Sequence, residues 1–181
     1  MFSPNLAREV GWTRISKYFL FSLWQLVFRL LPFFPLRTWW LRLGGARIGA
    51  DTVIDRIDFM NLDRGGLSKL NIGQRCFIGV GTVLDLAGSL TLKDYVTVSP
   101  RVVILSHFKI GLNGHPLLKK YPQVVLHTQL EFGCFIGTSS VILAGVNIGR
   151  QAIVAAGSVV TQQVPDSTLV AGNPALVKKH L

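Results

Sequence analysis

From Leu130 onward every sixth position is aliphatic: Leu130, Ile136, Ile142, Ile148, Val154 and Val160. The residue four places after each is small or β-branched: Cys134, Ser140, Val146, Ala152, Ser158 and Val164. The pairing recurs upstream, where Ile72 and Ile78 go with Cys76 and Thr82, Leu92 and Val98 with Val96 and Val102, and Ile48 with Thr52. A helix repeats its apolar positions about every 3.6 residues and a half-buried strand every second residue, so a period of six belongs to neither. It predicts short strands joined by tight turns, three hexads to a coil, wound into a triangular prism. The aliphatic residue fills the inside of a face, and the residue four later points inward near a corner. Glycine follows the aliphatic residue at 49, 73, 79, 137 and 149, where it is expected to permit the turn conformation. Coils stacked about 4.8 Å apart hydrogen-bond to one another, so each is stable only beside its neighbours. The period does not set the hand, and parallel crossovers are ordinarily right-handed.

The ladder breaks once. Leu92, Val98 and Ile104 run up to His107, and the hexads resume near Val124, twenty residues after Ile104 rather than a multiple of six. Residues 108–123 (FKIGLNGHPLLKKYPQ) must therefore leave the prism as an extruded loop. The chain divides into an N-terminal amphipathic segment, 1–43, and a coil domain, 44–181, with a C-terminal tail over 166–181.

The N-terminal segment has a different pattern. Tyr18 to Phe28 reads YFLFSLWQLVF between Lys17 and Arg29. These eleven residues are too few to span a bilayer, which takes about 20. Pro32 and Pro35 end the helix and a second segment, LRTWWLRL, follows. No small-residue cleavage site follows, which argues against a secretory signal peptide.

Charge sharpens this picture. The chain carries +10, and residues 1–47 hold seven of its 19 Lys and Arg (Arg8, Arg14, Lys17, Arg29, Arg37, Arg42 and Arg47) against Glu9 alone. All four tryptophans lie in the same stretch. A basic, aromatic terminus points to an in-plane contact with the cytoplasmic leaflet of a membrane rather than to nucleic acid; the other reading is packing on the body of the protein or on a second subunit. Cys76 and Cys134 form no CxxC, sit at inward small positions of the ladder and read as packing residues in a reducing compartment.

Four stretches carry a family likeness: VSPRVVILSH (98–107), FIGTSSVILAGVNIG (135–149), VAAGSVVTQQVPD (154–166) and VAGNPALVKK (170–179). Over about residues 44–181 the chain resembles the hexapeptide-repeat acyltransferases, in particular the group of maltose and galactoside acetyltransferases and polysaccharide O-acetyltransferases. LPFFPLRTWWLRLGGARIG (31–49) is similar to the start of the coil domain in the polysaccharide enzymes. The resemblance implies an all-β fold, a left-handed parallel β-helix of hexapeptide repeats preceded by amphipathic α-helices. It also implies a homotrimer with acetyl-CoA between adjacent prisms, and direct acetyl transfer to a sugar hydroxyl without an acyl-enzyme or a metal.

A sugar hydroxyl needs a general base, and histidine has the best-suited pKa. His107 sits where the ladder stops, at the rim of a rigid coil beneath the loop, and matches the family motif; it is expected to be the base. His115, in NGHPL, resembles the GHP of galactoside acetyltransferases and is the rival, on a less rigid mount. His127 reads as a surface turn residue and His180, next to last, as disordered. Asp85, one coil before His107, either orients its imidazole or is a solvated carboxylate at a strand end. Gly79 and Gln123 stand where maltose acetyltransferase has an Asn and a Glu that help bind sugar, which argues for another acceptor; His115 and Gln123 are the expected substrate-side residues. The family's CoA contacts fall on Thr138, Ala156, Thr161, Gln162 and Lys179, with Lys178 and Lys179 available to phosphates or simply solvated. Leu176 replaces a residue that is often basic in the group.

The expected function is O-acetylation of a sugar in cell-envelope polysaccharide or lipid-linked glycan synthesis, on the cytoplasmic side of the membrane. A small soluble acceptor is the alternative. Other classes are a metal hydrolyase of the γ-carbonic anhydrase kind, needing three converging imidazoles that the histidine spacings do not match, and a non-catalytic scaffold.

Overall fold

The computed structural model describes residues 12–111 and 114–181, with side chains from residue 15 onward. Arg8, Glu9 and the side chain of Arg14 therefore lie outside what is described, as do Leu112 and Asn113 in the loop.

Two helices come first, α1 (Trp12–Leu30) and α2 (Phe34–Leu43). Helix α1 starts well before the apolar run, because nothing between Trp12 and Lys17 breaks a helix. It ends before Pro32, and α2 begins with proline in its first turn, where the missing N–H costs nothing. No helix among the described residues is long and apolar enough to cross a membrane. The inner side of α1 packs Trp24 on Phe28 (centroids 6.0 Å) and on Trp40 of α2 (5.8 Å), while Phe28 meets Phe59 of the first coil edge-on.

The basic residues of this region are used differently from the sequence expectation. Arg29 donates to Asp58 at 2.5 Å, and the buried Arg37 donates to Asp55 at 3.0 Å and to the carbonyls of Leu31 and Pro32. Arg42 caps the carbonyls of Ile48 and Gly49. These three arginines fasten the helices to the first coil.

The coils form a left-handed parallel β-helix with three sheets as its faces. The first face stacks Arg47–Ile48, Leu70–Ile72, Leu90–Leu92, Thr128–Leu130 and Asn147–Ile148. The second runs from Val53–Ile54 through Phe77–Ile78, Thr97–Val98, Phe135–Ile136 and Ile153–Val154 to Thr168–Gly172. The third holds Asp58–Met60, Val83–Asp85, Val103–Ile104, Val141–Ile142 and Val159–Val160. In-register pairing turns the sequence ladder into columns, such as Ile78–Val98–Ile136–Val154, each residue wholly buried. The residues four places on, from Cys76 to Val164, are buried as well.

The glycines after the aliphatic residues have a different cause from the expected one. Positive φ falls two positions later, on Asp51, Arg75, Arg101, Ser139 and Gln151 or on glycines such as Gly81 and Gly157. Gly49, Gly137 and Gly149 instead face the next coil: a Cβ on Gly137 would lie 2.5 Å from the backbone nitrogen of Ala156. They are glycine because the coils approach closely at the corners, not because the turn needs φ > 0.

The tail also differs. Thr168–Gly172 turns back through Ala175–His180 as an antiparallel hairpin, and His180 pairs with Thr168. The last strand is ordered because the second sheet offers it an edge.

Facing outward, the three sheets are unlike. The first shows Arg47, Asn71, Thr91, Gln129 and Asn147. The second shows Val53, Phe77, Phe135, Ile153 and Leu169, and the third Val83, Val103, Val141 and Val159. These two faces are mostly apolar outside as well as in, with Thr97 on the second and Asp58 on the third as polar exceptions.

Candidate active site

The corner between the third and first faces holds Asp85 in one coil and Ser106–His107 in the next. There the chain leaves the prism: His107–Phe108 pairs antiparallel with Val124–Val125, forming a two-stranded ribbon that carries the loop. The coil closes beneath it, with Leu126 N donating to Ser106 O and the Thr128 hydroxyl to Leu105 O. His107 is thus anchored on a rigid coil at the point where the excursion starts.

Asp85 is wholly buried, and its Oδ2 meets His107 Nδ1 at 2.5 Å. The same oxygen accepts from Ser106 N at 2.9 Å, and Oδ1 accepts from Asn61 Nδ2 at 2.7 Å and Ala87 N at 3.2 Å. The Ser106 hydroxyl donates to the Asp85 carbonyl at 2.6 Å and accepts from Gly88 N. Burial pushes the Asp85 carboxyl pKa up, but the hydrogen bonds from His107, Ser106, Asn61 and Ala87 together outweigh it and hold the group below its usual value. Asp85 is therefore ionised at neutral pH. An anionic acceptor at Nδ1 assigns that nitrogen its proton and leaves Nε2 of a neutral imidazole as the basic atom. The His107 side chain is 16% exposed.

Asn61 and Ser106 complete the cluster, and neither was singled out from the sequence. Asn61 holds a left-handed conformation (φ 57°) ahead of a short turn of helix, Leu62–Gly65, which tolerates Asn better than most residues. That backbone turns its amide onto Asp85. The residue lies off the hexad pattern and 24 positions from its partner, so no local signal marks it.

The other histidines lie elsewhere. His127 is exposed at the base of the loop, between the Ser89 hydroxyl (2.7 Å) and Gln129 (2.9 Å). His115 lies in the loop, accepting at Nδ1 from Leu117 N and capping the short turn Pro116–Lys119. Gln123 is exposed just before the ribbon, and Gly79 packs on Pro100 at a different corner. Among the described residues no three His, Cys, Asp or Glu side chains converge as a metal site would need.

The residues expected to meet CoA fall into three groups. Thr138 and Ala156 stack at the corner between the second and third faces, where Gly157 N donates to Thr138 O. Thr161 and Gln162 are exposed after the third-face strand Val159–Val160, on the same corner as His107. Lys178 and Lys179 are exposed on the terminal hairpin, with Leu176 61% exposed beside them. Two corners of a prism point away from each other, so one chain does not gather these groups into a single cleft. A cavity of about 460 Å³ between α1 and the first coil is lined by Tyr18, Phe21, Gln25, Arg29, Phe59 and Asn61, among others. It reaches the Asn61 end of the cluster but not His107.

Known proteins resemble this chain in sequence over part of its length and in fold. Residues 129–162 match the family described as the hexapeptide repeat of succinyl-transferase. The chain is 29% identical over 129 residues to the galactoside O-acetyltransferase of Lactococcus lactis, covering 61% of this chain and 62% of that protein. It is 34% identical over 98 residues to serine acetyltransferase 4 of Arabidopsis thaliana (54% and 26%). It is 55% identical over 51 residues to a tetrahydropyridine-dicarboxylate N-acetyltransferase of Staphylococcus aureus (28% and 21%). The alignments span less than two thirds of each of these relatives. Two solved structures share the fold. A galactoside acetyltransferase in complex with coenzyme A superposes with TM-score 0.80 at 20% identity, over 95% of this chain and 84% of that one. A hexapeptide-repeat acetyltransferase of Vibrio cholerae, complexed with acetyl-CoA, gives 0.78 at 23% identity (93% and 87%).

Proposed function

We propose that this hexapeptide-repeat protein is an acetyltransferase that moves an acetyl group from acetyl-CoA directly to a sugar hydroxyl, with His107 as general base. The observation that carries the reading is the 2.5 Å contact between His107 and the buried, ionised Asp85. A hydroxyl, unlike a free amine, gains most from a base that takes its proton as it attacks, which favours an O-acceptor. His107 Nε2 takes the hydroxyl proton as the oxygen attacks the thioester carbonyl. The tetrahedral adduct then collapses, the C–S bond breaks, and the imidazolium returns the proton to the CoA sulfur. Asp85 keeps the imidazole in the required tautomer and stabilises the transient imidazolium.

The protein works as a homotrimer in this reading. Its two mostly apolar outer faces give each copy one surface for each of two neighbours, as a closed ring requires. The two corners that carry Thr138–Ala156 and Thr161–Gln162 are then brought together from different copies, so acetyl-CoA lies between subunits with Lys178 and Lys179 near its phosphates. The acceptor belongs to cell-envelope glycan synthesis, with His115 and Gln123 of the loop on the acceptor side. The galactoside O-acetyltransferase relatives and the absence of a matching sugar contact at Gly79 support a sugar other than maltose.

The test is acetyl transfer from acetyl-CoA to a panel of glycan acceptors, serine and a free amine, read as acetylated product by mass spectrometry. O-acetylated glycan that vanishes in His107→Ala is expected. Product on serine or the amine alone, or a His107→Ala variant with wild-type turnover, overturns the reading.

A further inference from the structure

The strongest feature the transferase reading does not use is the outer side of α1. Phe19, Leu23, Leu26 and Leu30 are spaced i, i+4, i+7 and i+11, which places them in one stripe. The coil side of the helix is already filled by Phe21, Trp24 and Phe28, and this second stripe is 52–73% exposed, with Leu26 also bordering the cavity. Trp39 and Leu43 on α2 are also exposed, at 54% and 62%. Packing among the described residues gives no reason for a helix apolar on both sides.

We propose that this stripe is an in-plane docking surface for an anionic lipid membrane. Charge decides the occupant. The sequence from Trp12 to Leu43 contains no Asp or Glu and five Lys or Arg. Of the nearby acids, Asp55 and Asp58 are turned onto Arg37 and Arg29, and Asp63 lines the cavity between α1 and the coil. Arg42, one residue from the exposed Leu43, is itself exposed and among the described residues has only carbonyl oxygens for partners, and Lys17 is exposed near the N-terminal end of α1. A second copy docking stripe to stripe would set like charges against each other, whereas lipid phosphates would match them.

The placement on the fold agrees. Both helices cover the first coil, at one end of the prism, through Phe59, Asp58 and the strands Arg47–Ile48 and Val53–Ile54. In the threefold arrangement proposed above, cyclic symmetry puts three such caps at the same end. Three weak amphipathic contacts then act together, which is how a short helix pair gains useful residence on a bilayer.

The experiment is flotation of the full-length protein with vesicles of phosphatidylcholine alone, or with a quarter phosphatidylglycerol. Flotation with the anionic vesicles only is expected. The double substitution Leu23→Glu and Leu30→Glu should lower the bound fraction by about tenfold or more, and Lys17→Glu by a smaller factor. Neither leucine lines the cavity or touches the Asp85 cluster, so acetyl transfer to a soluble acceptor should be unchanged in the double variant. Failure of the wild-type protein to float overturns the proposal, as does a double variant that floats as well as wild type. A double variant with altered sedimentation mass and no lipid-binding defect would assign the stripe to subunit contact instead, and also overturns it. None of these outcomes depends on which acceptor is acetylated.

Discussion

Replacing Asp85 by asparagine isolates the charge of the dyad while keeping its shape. The carboxylate has two clusters of donors: Ser106 N and His107 Nδ1 on one oxygen, Asn61 Nδ2 and Ala87 N on the other. An asparagine can accept with only one atom. The lower-cost orientation keeps that oxygen toward Ser106 and His107, because Asn61 can turn its own amide over and accept where it used to donate. Only Ala87 N is then left unpaired, at a cost of about 1–3 kcal/mol in stability. The imidazole keeps its tautomer, so the catalytic loss is electrostatic. A unit charge pair about 4 Å apart at an effective dielectric near 20 contributes about 4 kcal/mol. Part of this is recovered by the neutral hydrogen bond, leaving about 3–4 kcal/mol, or roughly 150- to 900-fold in kcat. KM for acetyl-CoA should change by less than about twofold, since the lost interaction belongs to the transition state. The assay is initial-rate CoA thiol release, with thermal unfolding run alongside to show a folded variant. A folded Asp85→Asn protein with kcat within about threefold of wild type would refute the assignment of His107 as an Asp-supported base.

Three further outcomes follow from the geometry. Gly137→Ala should cost about 2–3 kcal/mol in urea unfolding, because its Cβ would stand 2.5 Å from the nitrogen of Ala156. Ser139→Gly, two positions on at φ 59°, should leave stability unchanged or raise it by up to about 1 kcal/mol; the opposite ranking would restore the turn explanation for the ladder glycines. Burial raises the Cys76 thiol and pushes Cys134 up to about 12, so neither should react with an aromatic disulfide reagent in the native protein near about pH 8, and both should react in urea. Because the folded-state pKa of Asp85 is depressed, its contribution to stability is full above the unfolded value of about 3.9 and is lost as pH falls through the folded value. Acid unfolding, followed by circular dichroism, should accordingly be less steep in Asp85→Asn than in wild type.

The coil was legible because its inside admits little choice. A column that must hold Ile78, Val98, Ile136 and Val154 leaves a period in the sequence, and the break after Ile104 marks where the chain departs. His107 and Asp85 could be read for the same reason: both sit at defined offsets from the ladder. Asn61 could not, since its place depends on a turn outside the repeat and on a partner in another coil. The arginines were legible only as charge. Composition counts charges but not their partners, and Arg29, Arg37 and Arg42 spend much of their donor capacity on the first coil. The ladder glycines were found correctly and explained wrongly, because crowding between coils and freedom of φ both select glycine.

The ribbon at His107–Phe108 and Val124–Val125 has a consequence for how such a protein can diversify. Below it, Ser106 O and Leu105 O accept bonds from Leu126 and Thr128 as though the intervening residues were absent. The coil does not register how long the excursion is or what it contains. Insertions, deletions and substitutions in the loop can therefore accumulate while the coil beneath keeps its hydrogen bonds. On the proposed function, acceptor preference and proton-transfer geometry become separately heritable: one can drift while the other is conserved by packing.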